Sequence, residues 1–379
     1  MEEISLRIRT LAAGGDGVGR DADGRVVFVP FTAPGDRVRV RIERARRRHA
    51  HGSVMKILEP GPGRVEPSCP VFGSCGGCSW QHLDYAVQLE AKAGIVRDAL
   101  TRIGGFALPA PTIHASPGAY GYRGRTRVHV EAGRVGFRRR RSHELCAVTG
   151  CPILVPALDR ELAALVADPP ERDGEWELVA AGDETRAAAV ADARGARLVA
   201  QVGEERLGHS PGVFSQSNAL LLDVLAARVA EVAGSGARAV ELYAGTGLFT
   251  LPLARRFAGV VAVEGHRGAV ADLRENVSEA GLTNVDVRHA SVDDALGALG
   301  GDAPDALVLD PPRQGLPPGA AAALVRVAAE RIAYLSCDPA TLARDLRAVA
   351  AGGYAIESVE AFDLFPQTPH VEVLARLTR

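Results

Sequence analysis

Hydrophobic and polar positions alternate in short runs at the start of the chain. SLRIRT, RVVFVPF and DRVRVRIERA are separated by the turn signals GGDGVG, ADGR and APGD. A period of two broken by Gly-rich turns predicts strands, and five such strands predict an OB-like β-barrel over residues 1–58. EPGPGRVEPSCP (59–70) then reads as a Pro/Gly linker. Over 85–105 the apolar positions take a helical period that stops at Gly104-Gly105. Residues 122–146 return to basic strands around an EAGR turn, and 153–205 read as a helix followed by strands. From residue 206 helix and strand alternate. A helix at 218–232 is followed by strand ARAVELY, helix LFTLPLARRF, strand GVVAVE, helix AVADLRENVSEAG and strand VDVRHA. Strand DALVLD, a helix near 318–330, strand IAYLS, helix TLARDLRAVA and final strands at 355–362 and 371–377 complete the series. This alternation predicts a doubly wound α/β domain. The expected fold class is α/β multidomain: a barrel over 1–58, a central α+β domain over 59–205, and the α/β domain over 206–379. The helix at 83–107 is expected to be able to pack back on the last of these.

Composition changes this picture only where charge is mapped. Residues 1–141 carry 24 Lys and Arg against 13 Asp and Glu, whereas residues 142–379 carry 20 against 33. A basic first third points to a polyanionic partner. Lys56 and Lys92 are the only lysines, and the forked donors of arginine suit phosphate. RARRRHAHG (44–52) reads equally as a basic nucleic-acid contact or a solvated hairpin end. No run approaches the roughly 18 apolar residues that cross a bilayer, and MEEISLRIRT has no apolar core, so a cytoplasmic protein without a membrane partner is expected. Six cysteines in that compartment point to metal or catalysis before disulfides.

The candidate chemistry sits where strands end. Strand RAVELY runs into Ala244-Gly245-Thr246-Gly247-Leu248-Phe249, and Gly245 and Gly247 allow backbone to approach a ligand closely. Glu264 ends the next strand, where an acid can accept both ribose hydroxyls. Thr250 replaces the third glycine of a dinucleotide fingerprint, and Glu241 opens the motif with an acid. Together these resemble S-adenosylmethionine methyltransferases, whose sulfonium suits a pocket of acids, on a Rossmann-like fold. LVLDPPRQG fixes Asp310 at the lip of a cleft, and Arg313 stands where enzymes that methylate amino groups carry a stacking aromatic. Cys337 ends strand IAYLS; it reads either as a small buried hydrophobe or as a nucleophile made acidic by the following helix. Glu372 begins the last strand. A thiol that adds to C6 of uracil and a base that removes the C5 proton are the pair that pyrimidine C5 methylation needs.

ELYAGTGLFTLPLA, LDPPRQG, YLSCDPATLARD and DLFPQTPHVE occur in order along the chain. Together they resemble the RNA 5-methyluridine (uracil-C5) methyltransferase family, and the first 58 residues resemble its TRAM domain. The resemblance implies Cys337 as nucleophile and Glu372 as proton acceptor. It implies Gln216, in FSQSNALL, together with Tyr243, Glu264 and Asp310 at the cofactor. Leu248 stands where members often have Asn. Asp338 stands where SCNP is commoner, and its carboxylate is expected to raise the pKa of the thiol. Cys69, Cys75, Cys78 and Cys151 can hold zinc or a 4Fe–4S cluster by their spacing. The family's branch with a matching CGGC…CPIL pattern implies the iron–sulfur cluster, with Cys146 left over as the substitute for Cys151. The implied partner is RNA, ribosomal ahead of transfer RNA, met by a monomer. Arg123, Arg125, Arg127 and Arg138 to Arg141 are the expected contacts, and His370 is a hydrogen-bond partner beside Glu372. The alternatives are cytosine-C5 methylation, which usually keeps its acid in the strand-four motif, and an iron–sulfur RNA-binding protein without catalysis.

Overall fold

The alternation of the first 58 residues closes on itself. In the computed structural model, which describes residues 2–192, 197–299 and 303–379, strands β1 (Glu3–Leu11), β2 (Gly17–Arg20), β3 (Val26–Val29), β4 (Arg37–Ala45) and β5 (His49–Glu59) form a closed barrel in the order β1-β2-β3-β5-β4. Alternate residues such as Leu6, Ile8, Val27, Val29, Val38 and Val40 fill it, as a period of two requires. Buried Asp36 ties the barrel to the linker by accepting from Ala33 N, Gly61 N and the Arg64 guanidinium.

The linker leads to α1 (Tyr85–Ala99), which widens into a π-helical turn at Leu100–Gly104 and stops at Gly105, whose φ is 78°. The buried face of α1 is partly polar. Gln88 and Lys92 are buried, and Val96 and Leu100 share a core with Leu342 and Leu346 of the last helix. A short strand, β6 (Thr112–His114), follows. β7 (Arg125–Glu131), β8 (Arg134–Arg138), β9 (Leu145–Ala147), α2 (Pro156–Ala167), β10 (Gly174–Ala181) and β11 (Glu184–Ala189) make a separate antiparallel sheet ordered β11-β10-β7-β8-β9, backed by α2. β12 (Leu198–Val202) and β13 (Glu205–His209) form a hairpin.

The remaining elements are α3 (Leu222–Ala233), β14 (Gly236–Leu242), α4 (Thr250–Ala254), β15 (Phe257–Glu264), α5 (Arg267–Glu279), β16 (Val285–His289) and α6 (Val292–Ala298), then β17 (Ala306–Leu309), α7 (Ala320–Val327), β18 (Arg331–Ser336), α8 (Pro339–Ala351), β19 (Ala355–Phe362) and β20 (Glu372–Thr378). They build an eight-stranded sheet ordered β16-β15-β14-β17-β18-β20-β19-β6. Its first five strands are parallel, β20 is antiparallel to both neighbours, and apolar cores cover both faces. Among the described residues, no helix is long and apolar enough to cross a membrane.

Four local readings needed correction. The helix expected from 218 begins at Leu222, because Asn218 spends its amide on Ser116 Oγ and Leu364 O and its oxygen on Leu220 N. LFTLPLARRF yields only the short α4, since the glycine loop takes its start and β15 begins at Phe257. The helix over 85–105 is regular only to Ala99. β6 and α6, short and weakly patterned, were not expected at all; β6 adds an edge strand to the catalytic sheet through backbone pairing with β19.

Candidate active site

Register alone assembles the site. Leu242 pairs with Val263 and with Leu309, so Tyr243, Glu264 and Asp310 lie side by side just at the carboxyl edge of β14, β15 and β17. Ser336 of β18 pairs with Val373 of β20 in antiparallel register, which sets Cys337 opposite Glu372. These five residues line one cavity of 890 Å³, with Gln216, Gly245, Leu248, Arg313 and His370 also on its wall. Sequence reasoning therefore brought together a set that the fold does join, Gln216 included. Gly247 also lies in this loop. A Cβ there would meet Leu273 Cδ1 at 2.7 Å, and its φ of 104° is open only to glycine. Tyr243 holds a left-handed φ of 62° without being glycine, a conformation that the surrounding structure must enforce. Thr246 O accepts from Asn276 at 2.8 Å, and Glu264 accepts from Gly245 N at 2.8 Å and His266 N at 2.6 Å, which fixes the loop around the acid. Leu248 presents an apolar wall where a polar contact is commoner.

The electrostatics are those of acids removed from water. Burial pushes Asp310 up to about 7. Glu241 rises to about 8, mainly by burial, with Asp310 and Glu264 adding repulsion against the hydrogen bond from Thr250 Oγ1. Glu241 is buried and does not line the cavity. Glu372, 2% exposed, is raised well above the usual carboxylate range by burial and then by Asp310, with Arg313 opposing. Its Oε2 has no hydrogen-bond partner. Cys337 is pushed up to about 11 by burial first, then by Glu372 and Asp310, with Arg313 opposing. The expected acidification by the helix N-terminus is absent from this state. Asp338 caps α8 instead, accepting from Ala340 N and Thr341 N at 2.9 Å each, so its carboxylate is spent on the helix end. The expected rise through Asp338 is likewise replaced by a rise through burial, Glu372 and Asp310. His370 is lowered to about 4 by burial, with Arg313, Lys92 and Arg123 adding to it, and is neutral.

The loop that delivers Glu372 is held from outside its own domain. Gln88 on α1 exchanges two hydrogen bonds with Gln367, at 3.0 and 2.8 Å, and Gln367 keeps a φ of 66°. Lys92 forms a fully buried ion pair with Asp363 and donates to Phe365 O at 3.0 Å. Tyr122 Oη donates to Pro366 O at 2.9 Å. Sequence reasoning missed these anchors. The one available signal was a lysine on a helix in a chain that has two.

A second cavity, of 440 Å³, is lined by Cys69, Cys75, Cys78 and Cys151. Cys146 is buried next to Cys75 and does not line it, and all six cysteines are free. Burial raises the Cys78 thiol to about 11 and the Cys151 thiol to about 12, and the neighbouring thiols add to both. Gly77 N donates to Cys75 Sγ at 3.4 Å. Among the described residues, no three His, Cys, Asp or Glu side chains are already gathered as a single bound ion requires.

The basic residues divide in a way that alternation did not predict. Arg125 is buried, not presented to a partner; it pairs with Glu177 and donates to Ser215 Oγ at 3.2 Å. Arg140 lies 4.9 Å over the Phe31 ring and 3.3 Å from Asp16, binding the central sheet to the barrel. Arg139 donates to Ser74 Oγ at 2.8 Å beside the cysteine loop, and Arg138 pairs with Glu131. Arg127 remains exposed, 3.5 Å from Glu175.

Known proteins resemble the chain throughout. The family described as tRNA (Uracil-5-)-methyltransferase matches residues 201–379, and the TRAM domain matches residues 2–55. A 23S rRNA (uracil(1939)-C(5))-methyltransferase RlmD of Halomonas elongata is 35% identical over 98% of this chain and 89% of its own. An uncharacterized RNA methyltransferase of Synechocystis is 35% identical over 97% of this chain and 94% of its own. In fold, the chain is similar to the tRNA (uracil-54, C5)-methyltransferase of Pyrococcus abyssi, solved with S-adenosyl-L-homocysteine. The TM-score is 0.78 at 24% identity, over 99% of this chain and 100% of that one.

Proposed function

The chain belongs to the RNA uracil-5 methyltransferase family, enzymes that use S-adenosylmethionine to methylate C5 of uridine in RNA, and on that premise we propose that its target is a uridine of 23S ribosomal RNA, with Cys337 as nucleophile and Glu372 as base. The observation that carries the residue roles is the antiparallel register that sets the thiol and the carboxyl opposite each other on one cavity wall. The uridine must first leave its stack to reach them. Cys337 gives up its proton to solvent water and its sulfur bonds to C6, which makes C5 an enolate carbon. C5 takes the methyl group from the sulfonium, leaving a neutral thioether. Glu372, as carboxylate, then removes the C5 proton, and the C6–S bond breaks to release the thiolate and 5-methyluridine.

The excess of buried acid supports this reading. Burial raises Asp310, Glu241 and Glu372, and repulsion from Asp310 adds to the rise of the other two in the free site. A bound sulfonium offsets that repulsion, and it lowers the pKa of the thiol as a nearby cation must. Gln216, Tyr243, Gly245, Gly247, Glu264 and Asp310 are the groups we assign to holding the methyl donor. The target assignment follows those full-length relatives whose names specify an RNA, such as the one of Halomonas elongata, which is named for 23S rRNA.

For the second cavity we propose a 4Fe–4S cluster on Cys69, Cys75, Cys78 and Cys151. The donor set fits: four free thiols border one space, and a cubane separates its thiolates more widely than a single zinc ion does. When bound, the cluster would staple the cysteine loop to the central sheet; methyl transfer moves no net electrons and asks nothing more of it. The test of target is transfer of labelled methyl from S-adenosylmethionine to unmodified 23S rRNA and to tRNA, followed by nucleoside digestion. Label in 5-methyluridine from 23S rRNA is expected. Label only in tRNA would overturn the target, and label in 5-methylcytidine would overturn the base.

A further inference from the structure

The two cavities share a wall. Arg125, Gly212, Phe214, Ser215 and Ser217 border both, so the segment that carries Gln216 into the cofactor cavity is also the partition against the cysteines. This segment joins β13 to α3 and has no regular structure of its own. Its path therefore depends on side chains that grip it. At its start, Ser210 bonds Asp272 of α5 through N at 2.7 Å and Oγ at 2.6 Å. Its middle is held from the other sheet. Val179 of β10 pairs with Arg125 of β7, and Glu177 with Arg127, so Arg125 and Glu177 are diagonal neighbours on one sheet face.

Burying such a pair costs desolvation that its own attraction rarely exceeds, and Glu177 is only 3% exposed. Here both halves spend their remaining hydrogen-bonding capacity on the same short stretch. Glu177 accepts from Gly212 N at 3.0 Å, while Arg125 donates to Val213 O and to Ser215 Oγ. Just beyond, Gly124 N donates to Ser217 O at 2.8 Å. The residues on either side of Gln216 are thus tied to Gly124 and Arg125 at the start of β7, and Gln216 has little freedom to leave the cofactor cavity.

We propose that Arg125 and Glu177 are positioning residues for the methyl donor: as one buried pair they fix the path of residues 212–215 and thereby hold Gln216 in place. This rests on Gln216 being a cofactor contact. Neither half of the pair meets the reacting atoms. The pair sets affinity for the donor and leaves the chemical step alone.

The test is equilibrium binding of S-adenosylhomocysteine to the full chain, with steady-state kinetics on RNA beside it. Arg125→Lys keeps a cation beside Glu177 and should fold, but an ammonium cannot serve Glu177, Val213 and Ser215 together in the way a guanidinium fork does. Its affinity for S-adenosylhomocysteine should fall about 10-fold, with KM for the donor rising alike and kcat at saturating donor within about 3-fold of wild type. In a Gln216→Ala background the same substitution should cost less than about 2-fold, because coupled residues do not add. Full affinity in Arg125→Lys, or losses that multiply in the double variant, would overturn the pair's role while leaving Gln216 at the cofactor. Wild-type affinity in Gln216→Ala alone would instead remove Gln216 from the site, and the proposal with it.

Discussion

Two cavities in this protein bury thiols, and they surround them differently. In the central domain Cys75, Cys78 and Cys151 are raised by burial and then by neighbouring thiols. At the sheet edge Cys337 is raised to about 11 by burial and then by carboxylates. Burial acts in the same direction in both, and what differs is the partner that would relieve it. Thiols facing thiols are relieved by a shared metal centre that holds all of them deprotonated. A thiol facing acids is relieved by a cation that comes and goes, as the sulfonium of a methyl donor does. On the reading proposed here, one cavity takes a permanent occupant and the other serves turnover.

Substitutions in each cavity should break this contrast to very different extents. Cys337→Ala should lower methyl transfer by roughly 10⁴-fold or more while leaving RNA affinity within about 3-fold, measured by label transfer and filter binding. Residual activity near wild type would end the nucleophile assignment. Cys78→Ser should act on the occupant instead. An anaerobic preparation of the wild type should hold iron and sulfide near about four per chain, and the variant should lose both along with several degrees of melting temperature. Stoichiometric zinc without sulfide would replace the cluster in the account. The smallest effect is on acidity. Alkylation of Cys337 by iodoacetamide in the free enzyme should speed up as pH rises toward about 11. The Glu372 charge raises the pKa of the thiol, so Glu372→Gln must lower it. Alkylation at a fixed, mildly alkaline pH should then accelerate about 3- to 10-fold, since one pKa unit is a tenfold change in thiolate. A slower rate would mean that Glu372 does not face the thiol.

Much of the sheet-edge site was legible because each candidate stood where a strand pattern ended. Asp310 and Cys337 follow continuous apolar runs that parallel topology ends at one edge, and Glu372 opens a strand that runs back antiparallel from that same edge. What was not legible depended on partners far away in sequence. Arg125 looked like one of three alternating basic residues presented to RNA. Its neighbour Glu177 lies on a strand whose pairing no local pattern announces, and the pair is buried. Gln88 and Lys92 fall at i, i+4 spacing on the same helix face as Val96 and Leu100, but their polar side chains give no sign of burial. They are buried because Gln367 and Asp363, which close the loop before Glu372, need them there. Asp338 was read for its charge near the thiol, yet its neighbours Ala340 and Thr341 make it a helix cap. Short elements such as β6 carry too few residues to show a period.

The central claim is that Cys337 forms a bond to RNA which Glu372 is needed to release. The most direct test incubates Glu372→Gln with S-adenosylmethionine and the RNA substrate, then separates the products on a denaturing gel. Methyl transfer to C5 should proceed and elimination should stall, so a methylated RNA–protein adduct should accumulate, and it should vanish when Cys337→Ala is added. Continued turnover with no adduct would contradict the account, because proton removal would then lie with another group.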